Sequence, residues 1–145
     1  MRFIDTNPFI RYLTRDDMQK AAACHALFQR VQRGEEEIAS CEAVFTEIVY
    51  ILSAPAHYGM ARADIRLRVR PLLSMKGLRV PHKQTLLRAL DIYAANARFD
   101  FEDAVIVAHM ERTGATEVLS YDHDFGGAPG VTRVEPEPPP PEVAG

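Results

Sequence analysis

Apolar and polar residues alternate along the chain in a way that predicts short strands separated by longer helices. Short apolar runs predict strands at residues 2–5, around 38, 77–81, 118–122 and 131–134. Helical spacing predicts helices over Asp16–Arg33, Glu42–Pro55, Arg62–Met75 with a kink or restart at Pro71, Thr85–Arg98 and 100–113. Asn7 followed by Pro8 predicts one more helix start, since Asn caps helices and Pro tolerates their first position.

This alternation favours a three-layer α/β/α architecture around a central parallel sheet of four to five strands, covered on both faces. The length of 145 residues suits one domain. We expect that domain to span residues 1–134. Residues 135–145 form an acidic, Pro-rich tail that we expect to be extended or disordered.

Charge and composition exclude several protein classes. The chain has 20 acids against 17 bases, and three acids lie in the last eleven residues, so residues 1–134 carry no net charge. That balance excludes a strongly basic nucleic-acid-binding module, although 14 of the bases are Arg, which suits contact with phosphate. The chain has two cysteines and no apolar run of membrane-spanning length, so we expect a cytoplasmic protein.

Two acids follow predicted strands of a parallel sheet. Asp5 ends the first strand and Asp122 ends the fourth. Ligands of such sheets bind beyond the carboxyl ends of the strands, so these side chains are candidates for a common site. The alternative for each is an ordinary turn residue.

Two more acids lie on predicted helices. Glu47 is surrounded at helical spacing by mostly apolar residues, so it is expected to be buried and to need a cation or a structural Arg partner. Asp103 follows Asp100 by three residues at a helix start, where the alternative is a capping pair.

Convergence of these four acids would imply bound cations, because uncompensated carboxylates repel one another. Oxygen ligands favour Mg²⁺ or Mn²⁺, which can activate water for attack on a phosphodiester.

Four segments together resemble the PIN-domain ribonucleases, and within them the VapC-type toxins of type II toxin–antitoxin pairs. The segments are FIDTN (3–7), TEIVYIL (46–52), DFEDAVIVAHM (100–110) and LSYDHDF (119–125). The resemblance implies a PIN-like fold with catalytic and metal-binding acids at Asp5, Glu47, Asp103 and Asp122. It implies auxiliary roles for Thr6, Asn7, Asp100, Ser120 and Asp124.

The resemblance also implies a function. We expect an endoribonuclease dependent on Mg²⁺ or Mn²⁺ that cleaves RNA with metal-activated water, forms a homodimer and is neutralised by a cognate antitoxin protein. The alternative is a non-catalytic PIN fold that serves as a protein-interaction module.

Arginines recur every four residues along one predicted helix, at Arg62, Arg66 and Arg70. This spacing places them on one face, where they could contact RNA phosphates. The alternative is an ordinary solvated face.

Overall fold

A computed structural model describes residues 1–15 and 17–142 of the chain. Its strands, in chain order, are β1 (Arg2–Phe3), β2 (Ile38–Ala39), β3 (Leu78–Arg79), β4 (Glu117–Leu119) and β5 (Thr132–Val134). Its α-helices are α1 (Thr6–Thr14), α2 (Met18–Arg33), α3 (Glu42–Ser53), α4 (Arg62–Leu73), α5 (Lys83–Ala95) and α6 (Phe101–Thr113). A 3₁₀ helix over His123–Gly127 separates β4 from β5.

The strands pair in parallel, as the alternation of elements predicts, but they do not form one sheet of four to five strands. Within the described residues, β1, β2 and β3 form a three-stranded sheet in that order, and β4 and β5 form a separate pair. Arg2 pairs with Ile38, which pairs in turn with Leu78. Strands of two or three residues make few ladder hydrogen bonds, so tertiary packing decides how many of them join. The mixed α/β class is confirmed and the single central sheet is wrong.

Helices do not cover both faces of the three-stranded sheet. Ile38 and Leu78 point into the core, while Phe3 on β1 is 64% exposed and Arg79 on β3 is exposed as well. Arg79 forms an ion pair with Glu37 at 2.6 Å. The prediction of complete coverage is therefore wrong for the face that carries Phe3.

The first two helices begin at aspartates. Asp5, and not Asn7, is the N-cap of α1, because its carboxylate accepts the backbone N–H of Thr6 at 2.7 Å. The predicted start at Asn7 is therefore displaced by two residues. Asp17 caps α2 by accepting the backbone N–H of Lys20 at 3.0 Å. The predicted start of that helix, Asp16, lies outside the described residues.

Helices α3 and α4 differ from their predictions in burial and continuity. The apolar side of α3 faces the core through Val44, Phe45, Ile48, Val49 and Leu52, whereas Glu47 and Tyr50 are exposed. All-round burial of this helix is therefore wrong. Helix α4 continues through Pro71 and ends at Leu73, two residues before the predicted Met75.

The core gathers around stacked aromatic rings and fixes the helices that carry the acids. The ring of Phe9 on α1 lies 5.1 Å from that of Phe28 on α2 and 5.3 Å from that of Phe45 on α3. Helix α3 also packs against α6, and α6 against α5.

None of the described helices combines the length and apolar character needed to cross a bilayer. Residues 135–142 are exposed and have neither helix nor strand.

Candidate metal centre

Three carboxylates come together where α6 begins and β4 ends. Oxygen atoms of Asp103, Asp122 and Asp124 all lie within 4.8 Å of one another. We call this group the acidic cluster. It offers only oxygen ligands, the donor set that suits Mg²⁺ and Mn²⁺, so these residues fit a hard divalent cation.

The beginning of α6 fixes one member of the acidic cluster. Asp100 accepts the backbone N–H of Asp103 at 2.8 Å, and Asp103 accepts the backbone N–H of Asp100 at 3.3 Å. This reciprocal arrangement is a capping box. The capping alternative therefore holds for this pair, and it leaves Asp103 beside the other two carboxylates.

The turn after β4 fixes the other two members. Asp122 caps the 3₁₀ helix and accepts the backbone N–H of Asp124 at 2.9 Å. Ser120 accepts the backbone N–H of Asp122 through its hydroxyl at 3.0 Å. This tight turn brings two carboxylates, spaced two residues apart, to one place. Asp124 was expected only in an auxiliary position, and its spacing of two residues from Asp122 in YDHDF is the sequence signal for an equal role.

The electrostatics of the acidic cluster favour a cation. Burial, together with the negative charges of Asp100 and Asp122, raises the pKa of Asp103 to about 6. The carboxylates are thus close enough for one to resist ionisation. A divalent cation would remove this penalty, because it neutralises the repulsion at its source.

Asp5 and Glu47 form a second group around Thr6. The backbone N–H of Thr6 donates to Asp5 at 2.7 Å, and the Thr6 hydroxyl donates to Glu47 at 2.9 Å. Thr6 itself is 2% exposed, so it connects the first turn of α1 to α3 from a fixed position. Among the described residues, the acidic cluster includes neither Asp5 nor Glu47.

Two sequence-based expectations about this second group change. Glu47 is exposed, so the argument from an enclosed carboxylate does not apply, and its partner is a hydroxyl and not an Arg. Asn7 lies exposed in the first turn of α1. Of the two residues expected to support the acids, Thr6 has the required geometry and Asn7 does not.

The three arginines of the predicted basic stripe have different surroundings. Arg66 and Arg70 both contact the same carboxylate oxygen of Asp91, at 3.0 and 3.3 Å. Arg62 instead donates to the backbone carbonyls of Tyr93 and Asn96. The stripe is therefore divided, because Arg66 and Arg70 share a carboxylate partner whereas Arg62 is held by backbone carbonyls.

Comparison with known proteins agrees with the fold and the acidic cluster. The model of the PIN domain family matches residues 2–130. No curated protein is significantly similar to the chain.

Proposed function

Because the chain belongs to the PIN domain family, we propose that it is an endoribonuclease that depends on Mg²⁺ or Mn²⁺ and acts as a VapC-type toxin. PIN domains are generally metal-dependent nucleases, which supports a hydrolase at a coarse level. The observation that carries the proposal is the acidic cluster, where three carboxylates meet within 4.8 Å. A protein-interaction module would gain nothing from this repulsion.

The acidic residues would divide the work between metal binding and proton transfer. We assign the ion to Asp103, Asp122 and Asp124, with Asp5 completing the site from the end of β1. When bound, Mg²⁺ or Mn²⁺ supplies Lewis-acid stabilisation of the phosphate and activation of water. Glu47 has one carboxylate oxygen fixed by the Thr6 hydroxyl, which leaves the other oxygen to accept a proton from the attacking water.

The supporting residues keep the carboxylates in place. Asp100 holds Asp103 through the capping box, and Ser120 holds the turn that carries Asp122. Ser120 is itself anchored, because its backbone N–H donates to the backbone carbonyl of Val134 and its own carbonyl accepts from the guanidinium of Arg133. These bonds orient the acids before any ligand arrives, which reduces the reorganisation needed for catalysis.

The toxin assignment rests on the resemblance of the four sequence segments. It includes a homodimer, a cytoplasmic location and a cognate antitoxin protein that blocks the acidic cluster. We also propose that residues 1–134 form the nuclease domain and that residues 135–145 are an appended tail.

RNA cleavage by the full chain tests the nuclease. We expect cleavage with Mg²⁺ or Mn²⁺ and none with EDTA. Asp122→Asn and Asp124→Asn should each lower the rate by more than about a hundred-fold, since even outer-shell partners of a metal are worth about 10–100-fold. Asp64→Asn is the matched control, because this acid lies in the first turn of α4 and outside the acidic cluster.

Two results would contradict the nuclease. One is absence of cleavage by folded wild-type protein free of antitoxin, with either ion. The other is equal cleavage by the wild type and the two cluster variants. The toxin assignment has its own test: expression should arrest growth, the Asp122→Asn variant should not, and the product of a small upstream reading frame should restore growth.

A further inference from the structure

A cleft of about 360 Å³ opens beside the acidic cluster. Its walls come from α3, from the chain entering α4, from α5 and from the first turn of α6. The volume lies in the range of about 300–1,000 Å³ that is typical of small-ligand sites. Neither the proposed metal ligands nor the proposed proton acceptor line it, so its purpose needs a separate explanation.

The cleft adjoins both groups of acids. Asp100 lines it and, through the capping box, holds Asp103 of the acidic cluster. Thr46 lines the α3 wall and immediately precedes Glu47. Because a residue of each group's own helix start or helix turn lines the cleft, RNA bound at the acidic cluster can extend a neighbouring nucleotide towards it.

One wall of the cleft presents an aromatic ring to solvent. Tyr50 on α3 is 66% exposed, although its chain neighbour Val49 is buried. An exposed aromatic ring beside a site for RNA is suited to stacking on an unpaired base.

The wall formed by α4 and α5 presents a fixed cation. Arg62 donates from one guanidinium nitrogen to the backbone carbonyls of Tyr93 at 3.0 Å and Asn96 at 3.1 Å. Its guanidinium carbon lies 4.3 Å above the centre of the Tyr93 ring. Within the described part of the chain Arg62 has no carboxylate partner, unlike Arg66 and Arg70. An Arg oriented in this way keeps donors for a phosphate.

The remaining charges argue against a site for a free anion. Asp100 and Glu102 line the cleft, and both are exposed carboxylates. They would repel an isolated phosphate, but they can accept N–H groups from the edge of a base. The combination of an exposed ring, one cation and carboxylate acceptors matches a nucleotide better than a simple anion.

We propose that this cleft binds one nucleotide of single-stranded RNA next to the cleaved bond, with Tyr50 stacking on the base and Arg62 binding the phosphate. The inference rests on the proposed ribonuclease function and specifies how its substrate is held. It predicts that binding depends on the base and not on the phosphate alone.

Nuclear magnetic resonance of the isotope-labelled full chain tests the inference without any cleavage. The probes are the four nucleoside 5′-monophosphates, ribose 5-phosphate and inorganic phosphate. At least one nucleotide should shift the amide signals of Tyr50, Arg62 and Phe101 saturably, and should bind about 5-fold or more tighter than ribose 5-phosphate. Tyr50→Leu should abolish this preference, and Tyr50→Phe should retain it.

Arginine variants provide the second arm. Arg62→Gln should weaken every phosphorylated probe and reduce the salt dependence of binding. Arg62→Lys keeps the positive charge, so comparing it with Arg62→Gln separates loss of charge from loss of folding if the glutamine variant is unstable. Arg33→Gln, an exposed helical arginine outside the cleft, and Leu67→Ala, an exposed apolar residue of α4, are the matched controls.

Four outcomes would overturn the inference. They are equal binding of nucleotides and ribose 5-phosphate, signal shifts confined to another surface, unchanged nucleotide affinity in Tyr50→Leu, and no saturable binding of any nucleotide. A cleft that serves a protein partner would give the second outcome or no binding at all. Because binding is read without cleavage, nucleotide binding by a protein that cuts no RNA would contradict the proposed nuclease and leave the cleft assignment standing.

Discussion

The raised pKa of Asp103 predicts that neutralising this residue stabilises the metal-free protein at neutral pH. Its carboxyl has a folded-state pKa of about 6 against an ordinary value of 3.8. Between these two values the folded chain holds a proton that the unfolded chain has released. Stability therefore falls as pH rises through this window, and the loss is complete by pH 7. Asp103→Asn removes the charge and with it this loss.

The magnitude follows from the pKa difference and the solvent around the side chain. The difference corresponds to a ceiling of about 3 kcal/mol. Asp103 is only half-buried, and screening by solvent reduces the effect to about 1 kcal/mol. For a chain of 145 residues, we expect Asp103→Asn to melt about 3 °C above the wild type at pH 7 in EDTA. The difference should approach zero at pH 4.

Thermal unfolding followed by circular dichroism measures this difference, and Asp64→Asn is its matched control. Asp64 is the third residue of α4, just as Asp103 is the third residue of α6. Asp64→Asn loses only the favourable interaction of a charge with a helix N-terminus, about 0.3–1 kcal/mol, so it should melt slightly below the wild type. The pKa of Asp103 already includes its contact with the backbone N–H of Asp100 and is still raised, so only Asp103→Asn relieves the acidic cluster. If Asp103→Asn melts at or below the wild type at pH 7, or if its advantage persists at pH 4, the electrostatic reasoning is wrong.

Mg²⁺ should reverse the order of stability. An ion at a hundred times its Kd stabilises the folded protein by about 2.7 kcal/mol. The wild type should gain this stabilisation, and Asp103→Asn should gain much less because it has lost a ligand. An equal gain in both proteins would place the ion elsewhere.

Two further predictions concern the second group of acids and the packing of the strands. Thr6→Val removes the hydroxyl donor that lies 2.9 Å from Glu47, so the rate of RNA cleavage should fall by up to about a hundred-fold, the low end of what a general base contributes. Thr6→Ser should retain the rate, and equal rates for wild type and Thr6→Val would contradict the supporting role. Gly77→Ala would place a methyl group 2.1 Å from the carbonyl oxygen of Glu36, so its free energy of unfolding in urea should be lower by about 3 kcal/mol. Gly126→Ala is the control, because the added methyl group has no atom within 4 Å and the variant should unfold like the wild type.

Local patterns predict the helix starts better than they predict burial or sheet size. The spacing of Asp100 and Asp103 predicts a capping pair, and the structure has one, because a cap depends only on residues within one turn. At Asn7 the same kind of argument fails, since Asp5 is also near enough to accept a backbone N–H and begins the helix earlier. Competing caps within two residues cannot be ranked from their side chains alone.

Burial of Glu47 depends on tertiary packing and not on its neighbours in the sequence. Most residues one turn away are apolar, yet the side of α3 that carries Glu47 and Tyr50 remains open to solvent.

The five predicted strands exist, but their division into a sheet of three and a pair is set by contacts between distant segments. Asp124 joins Asp122 through a 3₁₀ turn, whose geometry the sequence indicates only by the spacing of two acids.

The capping box couples the start of α6 to the position of one member of the acidic cluster. Asp100 and Asp103 satisfy each other's backbone N–H groups, and such a cap stabilises a helix by about 0.5–2 kcal/mol. In the same geometry, burial and the negative charges of Asp100 and Asp122 raise the pKa of Asp103. The stabilisation gained at the cap thus offsets the repulsion within the cluster, so the acids can be held together before a cation arrives. A site built in this way is pre-formed, because its ligands are fixed by backbone hydrogen bonds and do not have to be gathered by the ion.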